Sequence, residues 1–253
     1  MSGWLRVVGI GPGPAEWMTP EATAALAAAS DVVGYSSYVE RLTLAPNQRR
    51  HASGNGDELE RAGQALDLAL GGAKVALVSG GDPGVFAMAS AVFEAIEAGP
   101  AAWRALDVTV LPGVTAALAA AARLGAPLGA DFCVLNLSDN LKPWPVLEQR
   151  LQLVARADLV IALYNPASRA RPKQIYDAFE ILRRHRTAAA VTMFARAVGR
   201  PDEQLTVTTL AAADPGHADM RTLVLVGTAA TRCIERSGDR GSWVYSPRRW
   251  EAS

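Results

Sequence analysis

This chain of 253 residues has only two cysteines, only three lysines (Lys74, Lys142 and Lys173), no net charge and no long apolar run. Cys133 and Cys233 lack the spacing that thiolate metal sites and redox pairs use, so both read as small buried hydrophobes. His51, His185 and His217 show no metal-ligand spacing either, and no metal site is expected. With 25 basic residues against 25 acidic ones, no basic face advertises a nucleic acid or an anionic membrane as partner. The longest apolar stretches, such as 114–124, fall far short of the ~20 residues of a bilayer span, and the N-terminus enters a strand-like run rather than a signal peptide. A soluble, cytoplasmic protein is expected. Few lysines leave arginine as the main cation, and its fork suits carboxylates. Coding bias, matched by the richness in alanine, explains that choice more simply.

Half of the residues are hydrophobic, enough for one large core or two smaller ones. Three small-residue loops each follow a short apolar run: Gly9-Ile10-Gly11-Pro12-Gly13, Gly80-Gly81-Asp82-Pro83-Gly84 and Pro112-Gly113-Val114-Thr115-Ala116-Ala117. A turn after a buried strand takes glycine where the backbone needs positive φ or close approach to a ligand. The runs before them, 4–10, 74–78 and 106–111, are rich in Val and Leu without strict alternation, as parallel strands covered on both faces are.

The first half reads as repeated β-α units. Helices are expected at 20–29, with Thr19 as N-cap and Pro20 first, at 57–70, stopped by Gly71-Gly72, at 84–98 and at 113–124; a short strand is expected at 31–34. Gly125-Ala126-Pro127-Leu128-Gly129 breaks the pattern, which divides the chain into an N-terminal α/β domain, 1–124, and a second α/β domain, 125–253. In the second, strands are expected at 131–137, 159–164, 188–194, 205–208, 223–227 and 243–245, with helices at 146–155 and 173–184. Frequent Thr and Val and some short connections predict a mixed sheet there, beside a largely parallel one in the first half.

A dinucleotide would need a third glycine in the first loop, where Pro14 or Glu16 stands instead. Pro12 and Pro14 also remove two amide donors that a pyrophosphate would use. No acidic residue ends the second strand, since Asp31 stands at its start, and there is no Gly-Lys-Ser/Thr for a P-loop. A ligand without phosphates suits these loops better, and S-adenosylmethionine is such a ligand.

Together the loops G-x-G-P-G, G-G-D-P-G and P-G-V-T-A-A resemble the tetrapyrrole methylases, the class III S-adenosylmethionine-dependent methyltransferases. Gly34-Tyr35-Ser36-Ser37-Tyr38-Val39, Leu137-Ser138-Asp139-Asn140-Leu141-Lys142-Pro143-Trp144, Leu163-Tyr164-Asn165-Pro166 with Ser168, and Val198-Gly199-Arg200 are similar to the branch that methylates precorrin-3B at C(17) with ring contraction, in cobalamin biosynthesis. The resemblance runs from Leu5 to about Pro247. It implies two α/β domains with the cofactor, S-adenosyl-L-methionine, in the cleft between them, a tetrapyrrole (precorrin) substrate and a homodimer. Carried over by position, cofactor contacts fall on Pro12, on Gly80, Gly81, Asp82 and Val85, on Thr115 and Ala116, and, by looser alignment, on Asn165 and Ala197. Ser53-Gly54-Asn55-Gly56-Asp57, Arg196-Ala197 and Gly227-Thr228 depart from the usual Thr-Gly-Met-Gly, Arg-Asn and Gly-Asn, which bears on substrate details more than on the fold.

Methyl transfer from a sulfonium is an in-line displacement that needs positioning and exclusion of water, with no nucleophilic triad. Ring contraction moves protons, so a general acid or base is expected near the substrate. Asp139, beside Ser138, is the candidate, although Ser-Asp before a Pro-rich turn also caps helices. Asp82 is read as a cofactor ligand or a turn former. Tyr38 and Tyr164 line the macrocycle or cap the core. Arg169, Arg171, Arg196, Arg200 and Arg248 are candidate clamps for substrate acetate and propionate groups, or solvated surface charges. Sister readings keep the chemistry but act at C(11), at C(20) or on a cobalt-bearing intermediate; from another class, the chain would be a non-catalytic cofactor-binding module.

Overall fold

The computed structural model describes residues 3–54, 56–238 and 241–249. The chain divides into two compact units, Met1–Thr115 and Ala116–Ser253. In the first, β1 (Trp4–Gly9), α1 (Pro20–Ala28), β2 (Asp31–Tyr35), the short α2 (Ser36–Val39), β3 (Arg49–Ser53), α3 (Glu58–Leu70), β4 (Lys74–Ser79), α4 (Met88–Ala98) and β5 (Asp107–Leu111) follow in order. All five strands are parallel, in the order β3-β2-β4-β1-β5.

Alternate strand residues serve opposite faces. Leu5, Val7, Val75 and Leu77 pack with Ala62, Leu66 and Val92 of α3 and α4. Val8, Val32, Ala76 and Val78 pack with Ala22 and Val39 of α1 and α2. Both faces are thus apolar, which is why the strand sequences do not alternate. α1 begins as its sequence predicts, with the Ala22 N–H donating to Thr19 Oγ1 at 3.1 Å and Pro20 in the first turn.

The second unit contains α5 (Ala116–Leu124), β6 (Gly125–Ala126), β7 (Phe132–Asn136), α6 (Trp144–Arg156), β8 (Val160–Tyr164), α7 (Gln174–His185), β9 (Val191–Arg196), β10 (Gln204–Thr209), β11 (Thr222–Val226), β12 (Arg232–Glu235) and β13 (Ser242–Tyr245). Its main sheet is mixed, in the order β10-β9-β11-β8-β7. β11 is antiparallel to both β8 and β9, and β7 is parallel to β8, so β7, β8 and β9 end at one edge. Leu151, Ile175, Phe179 and Leu182 of α6 and α7 close over Ile161, Leu163, Phe194 and Val224. α5 packs on β11 and on a small sheet, β12-β13-β6, so the glycine-rich break at 125–129 contributes a strand.

Several elements differ from expectation at their ends. The helix expected from Gly84 starts at Met88, because Phe86 is left-handed (φ 54°) and Ala87 extended. The helix expected from Gly113 starts at Ala116. β3, α2, β6 and β12 were not expected. The departure at Asn55 lies outside the described residues.

Asp31, the first residue of β2, is fully buried yet ionised. Burial opposes its charge, but hydrogen bonds from Arg49, Ser30 and His51 outweigh that cost and hold its pKa at about 2. A carboxyl lowered by folding stabilises the native state above its unfolded pKa, and that contribution fades as pH falls from about 4 through about 2. Asp31→Asn should cost about 1–3 kcal/mol at neutral pH, since it removes the partner of a buried network. The gap in thermal midpoint between variant and wild type should narrow below pH 4; a gap constant with pH would refute the ionised assignment.

Candidate functional site

The three glycine loops all leave the carboxyl edge of the first sheet, after β1, β4 and β5. They grip one another through backbone. The Gly11 N–H donates to the Gly81 carbonyl at 3.1 Å, and both glycines are left-handed, φ 66° and 69°. A Cβ on Gly113 would lie 2.3 Å from the Gly81 carbonyl oxygen and 2.9 Å from Gly9 Cα. A Cβ on Gly80 would strike the Tyr38 ring at 2.7 Å. Side chains are therefore excluded by neighbouring chain, beyond any need of a ligand.

Asp82 ties the loops together. Its Oδ1 accepts the Gly84 N–H at 2.8 Å and its Oδ2 accepts the Gly113 N–H at 3.0 Å, 31 residues further along. The first bond is the turn-forming role expected of Gly-Asp-Pro-Gly; the second joins two loops, which the sequence did not reveal. The Val85 N–H donates to the Asp82 carbonyl at 3.2 Å, and Thr115 Cα lies 3.8 Å from where a Gly81 Cβ would be. Pro12, Gly80, Gly81, Asp82, Val85 and Thr115 thus belong to one platform, while Ala116 opens α5 in the second unit.

At the carboxyl edge of the second sheet a different set converges. Asn165 follows β8 and Ala197 follows β9, and both are left-handed, φ 50° and 52°, uncommon for residues with a Cβ. Such strain is kept where surrounding contacts enforce it. The Asn165 amide donates to Asn136 Oδ1 at 3.0 Å, and that oxygen also accepts the Ser138 N–H at 2.9 Å. The Ala197 N–H donates to the Arg221 carbonyl at 2.9 Å.

Asp139 does not cap a helix: α6 begins after Pro143 with no side-chain cap. Its carboxylate accepts from Gln174 Nε2 at 3.0 Å and lies 3.9 Å from Arg171 Nε. Tyr164 accepts the Ala117 N–H at 2.9 Å through its hydroxyl, serving the start of α5. Arg171 is buried and Arg196 is ion-paired to Asp219 and Asp202, so both are engaged by protein groups instead of standing ready for a substrate carboxylate. On the loop after β7, half-buried Lys142 has its ammonium pKa pushed down by burial and by Arg150. Among the described residues no group of three or more His, Cys, Asp or Glu could hold a metal ion. Asn136 and Gln174 were missed, since each acts through a partner remote in sequence.

The family model of tetrapyrrole (corrin/porphyrin) methylases matches residues 5–214. The chain belongs to this family. By that membership it is a methyltransferase. The precorrin-3B C(17)-methyltransferase of a Sinorhizobium species is 56% identical over 248 residues, 98% of this chain and 97% of that protein. A crystal structure of the methyltransferase CobJ aligns with a TM-score of 0.92 at 52% identity, covering 97% of this chain and 100% of that one. A uroporphyrin-III C-methyl transferase from Thermus thermophilus, solved in complex with S-adenyl homocysteine, aligns with a TM-score of 0.68 at 25% identity, over 89% of this chain and 92% of that one.

If the loops depend on backbone contact, Gly113→Ala should destabilise the protein by about 1–3 kcal/mol, as overpacking does. Gly63→Ala is the control: it lies inside α3, where the new methyl meets only the Trp103 ring at 3.6 Å. Better helix propensity should make it neutral or stabilising by up to about 1 kcal/mol. Denaturation midpoints compare the two; equal midpoints would overturn the interlocked-loop account.

Proposed function

We propose that this chain transfers a methyl group from S-adenosyl-L-methionine to C(17) of precorrin-3B, with ring contraction, in cobalamin biosynthesis. The observation that carries the reading is the 56% identity, over nearly the whole of both chains, to the Sinorhizobium enzyme of that name. The Thermus relative in complex with S-adenyl homocysteine supports the cofactor.

The chemistry of the loops also fits that cofactor. Segments 9–13, 80–85 and 112–116 contain no lysine or arginine and one carboxylate, Asp82. Pro12 has no N–H to offer a phosphate. A neutral adenosine with a cationic sulfonium suits such a surface, whereas a pyrophosphate does not. Bound there, the group supplies a methyl already activated on sulfur. Pro12, Gly80, Gly81, Asp82, Val85, Thr115, Ala116, Asn165 and Ala197 are the proposed cofactor residues: backbone groups orient the ligand, and the rigid loops exclude water.

Asp139 is the proposed proton-handling group on the substrate side, with Ser138 beside it. A partly exposed carboxylate held by Gln174 and Arg171 has a fixed direction, which general acid–base chemistry requires. Lys142 adds positive charge close by, suited to the carboxylates of a precorrin. No helix among the described residues is long and apolar enough to cross a membrane. A cytoplasmic homodimer is the proposed setting, resting on the family resemblance.

Incubation with methyl-labelled S-adenosyl-L-methionine and precorrin-3B should yield label in a ring-contracted product, followed by chromatography and mass spectrometry. Cofactor binding with label transferred only to a cobalt-bearing intermediate would reject the metal-free substrate. Asp139→Asn should lower kcat by about a hundredfold or more while leaving cofactor affinity unchanged. Undiminished turnover would remove Asp139 from the mechanism.

A further inference from the structure

The geometry points to Arg171 as the positioning residue for the Asp139 edge, acting through Asp139 and Asn165 without touching substrate; this rests on the substrate-side role proposed above. Arg171 is 8% exposed, so its charge is almost wholly withdrawn from water. A buried guanidinium is costly and is kept where fixed partners answer it. Here the partners come from three separate segments. Nε faces Asp139 Oδ1 at 3.9 Å on the loop after β7. Nη1 donates to the Asn165 carbonyl at 3.4 Å on the turn after β8. Nη2 lies 3.9 Å from Met220 Sδ ahead of β11.

These contacts close a ring. From Arg171 the path runs to the Asn165 carbonyl, from the Asn165 amide to Asn136 Oδ1, from that oxygen to the Ser138 N–H, and from adjacent Asp139 back to Arg171. Gln174 braces the second oxygen of Asp139 at 3.0 Å. The backbone of Arg171 is pinned as well: its N–H donates to the Ser168 carbonyl and its carbonyl accepts the Ser168 N–H, both at 3.1 Å. One planar cation therefore fixes both the carboxylate and the left-handed Asn165 that the proposed chemistry uses. A lysine, a point charge on a flexible stem, meets one of these partners but not both.

The test compares Arg171→Gln and Arg171→Lys, alone and combined with Asp139→Asn. In ligand-free protein, amide exchange over 136–140 and 165–168 should rise together in Arg171→Gln, and less at 136–140 in Arg171→Lys, which keeps the charge. Unchanged exchange in both segments would overturn the proposal whatever the enzyme's activity. In turnover, Arg171→Gln should lower kcat about tenfold and weaken cofactor affinity through Asn165, yet change kcat less than twofold in the Asp139→Asn background. Losses that simply multiply would show that Arg171 does not act through Asp139. If Arg171→Gln fails to fold, Arg171→Lys supplies the same comparison. A wild type that leaves precorrin-3B unmethylated would refute the proposed function, and the exchange result would then judge the ring by itself.

Discussion

The carboxylate of Asp82 is the contact on which the first unit's working edge depends. Three strands end side by side, and the chain leaving them must turn sharply without filling the space above the sheet. Glycine permits the turns but leaves the backbone flexible, because it loses the most freedom on folding. Two charge-assisted hydrogen bonds that the Asp82 carboxylate accepts from the Gly84 and Gly113 N–H groups, with the Gly11–Gly81 bridge, restore rigidity without adding bulk. A platform made of backbone results, small in profile and nearly neutral in charge. Those properties suit an adenosine and a sulfonium better than a phosphate.

The second unit solves a different problem by different means. Its parallel strands β7, β8 and β9 end in loops that carry polar side chains and the left-handed non-glycine residues Asn165 and Ala197. Asn165 and Ala197 sit in a conformation that costs energy for any residue with a Cβ, and the first of them is tied by hydrogen bonds to Asn136 and Arg171, whose guanidinium also faces Asp139 at 3.9 Å. One edge is thus built for close backbone approach and the other for directed polar groups.

The glycine loops were legible in the sequence because their pattern is local, a strand, a small-residue turn, then a helix, whereas the contacts that bar a Cβ at Gly80 and Gly113 come from distant segments. The parallel and mixed characters of the two sheets followed from the same strand runs. Less was legible where a contact joins distant residues. Arg171 read as a candidate substrate clamp or a solvated surface charge, since Asp139 and Asn165 find it only through the tertiary fold. β3 was hidden by Arg49-Arg50-His51, a polar run at a sheet edge, although Arg49 and His51 are what keep buried Asp31 ionised. Nothing in an alanine announces a left-handed φ, so Ala197 was reached only through family resemblance.

The most direct measurement of the central claim is a crystal structure with S-adenosylhomocysteine. Adenosine resting on Gly80–Val85 and Thr115–Ala116, with Asp82 still bridging Gly84 and Gly113, is the predicted result. A ligand bound away from these loops, or loops that separate to admit it, would contradict the account.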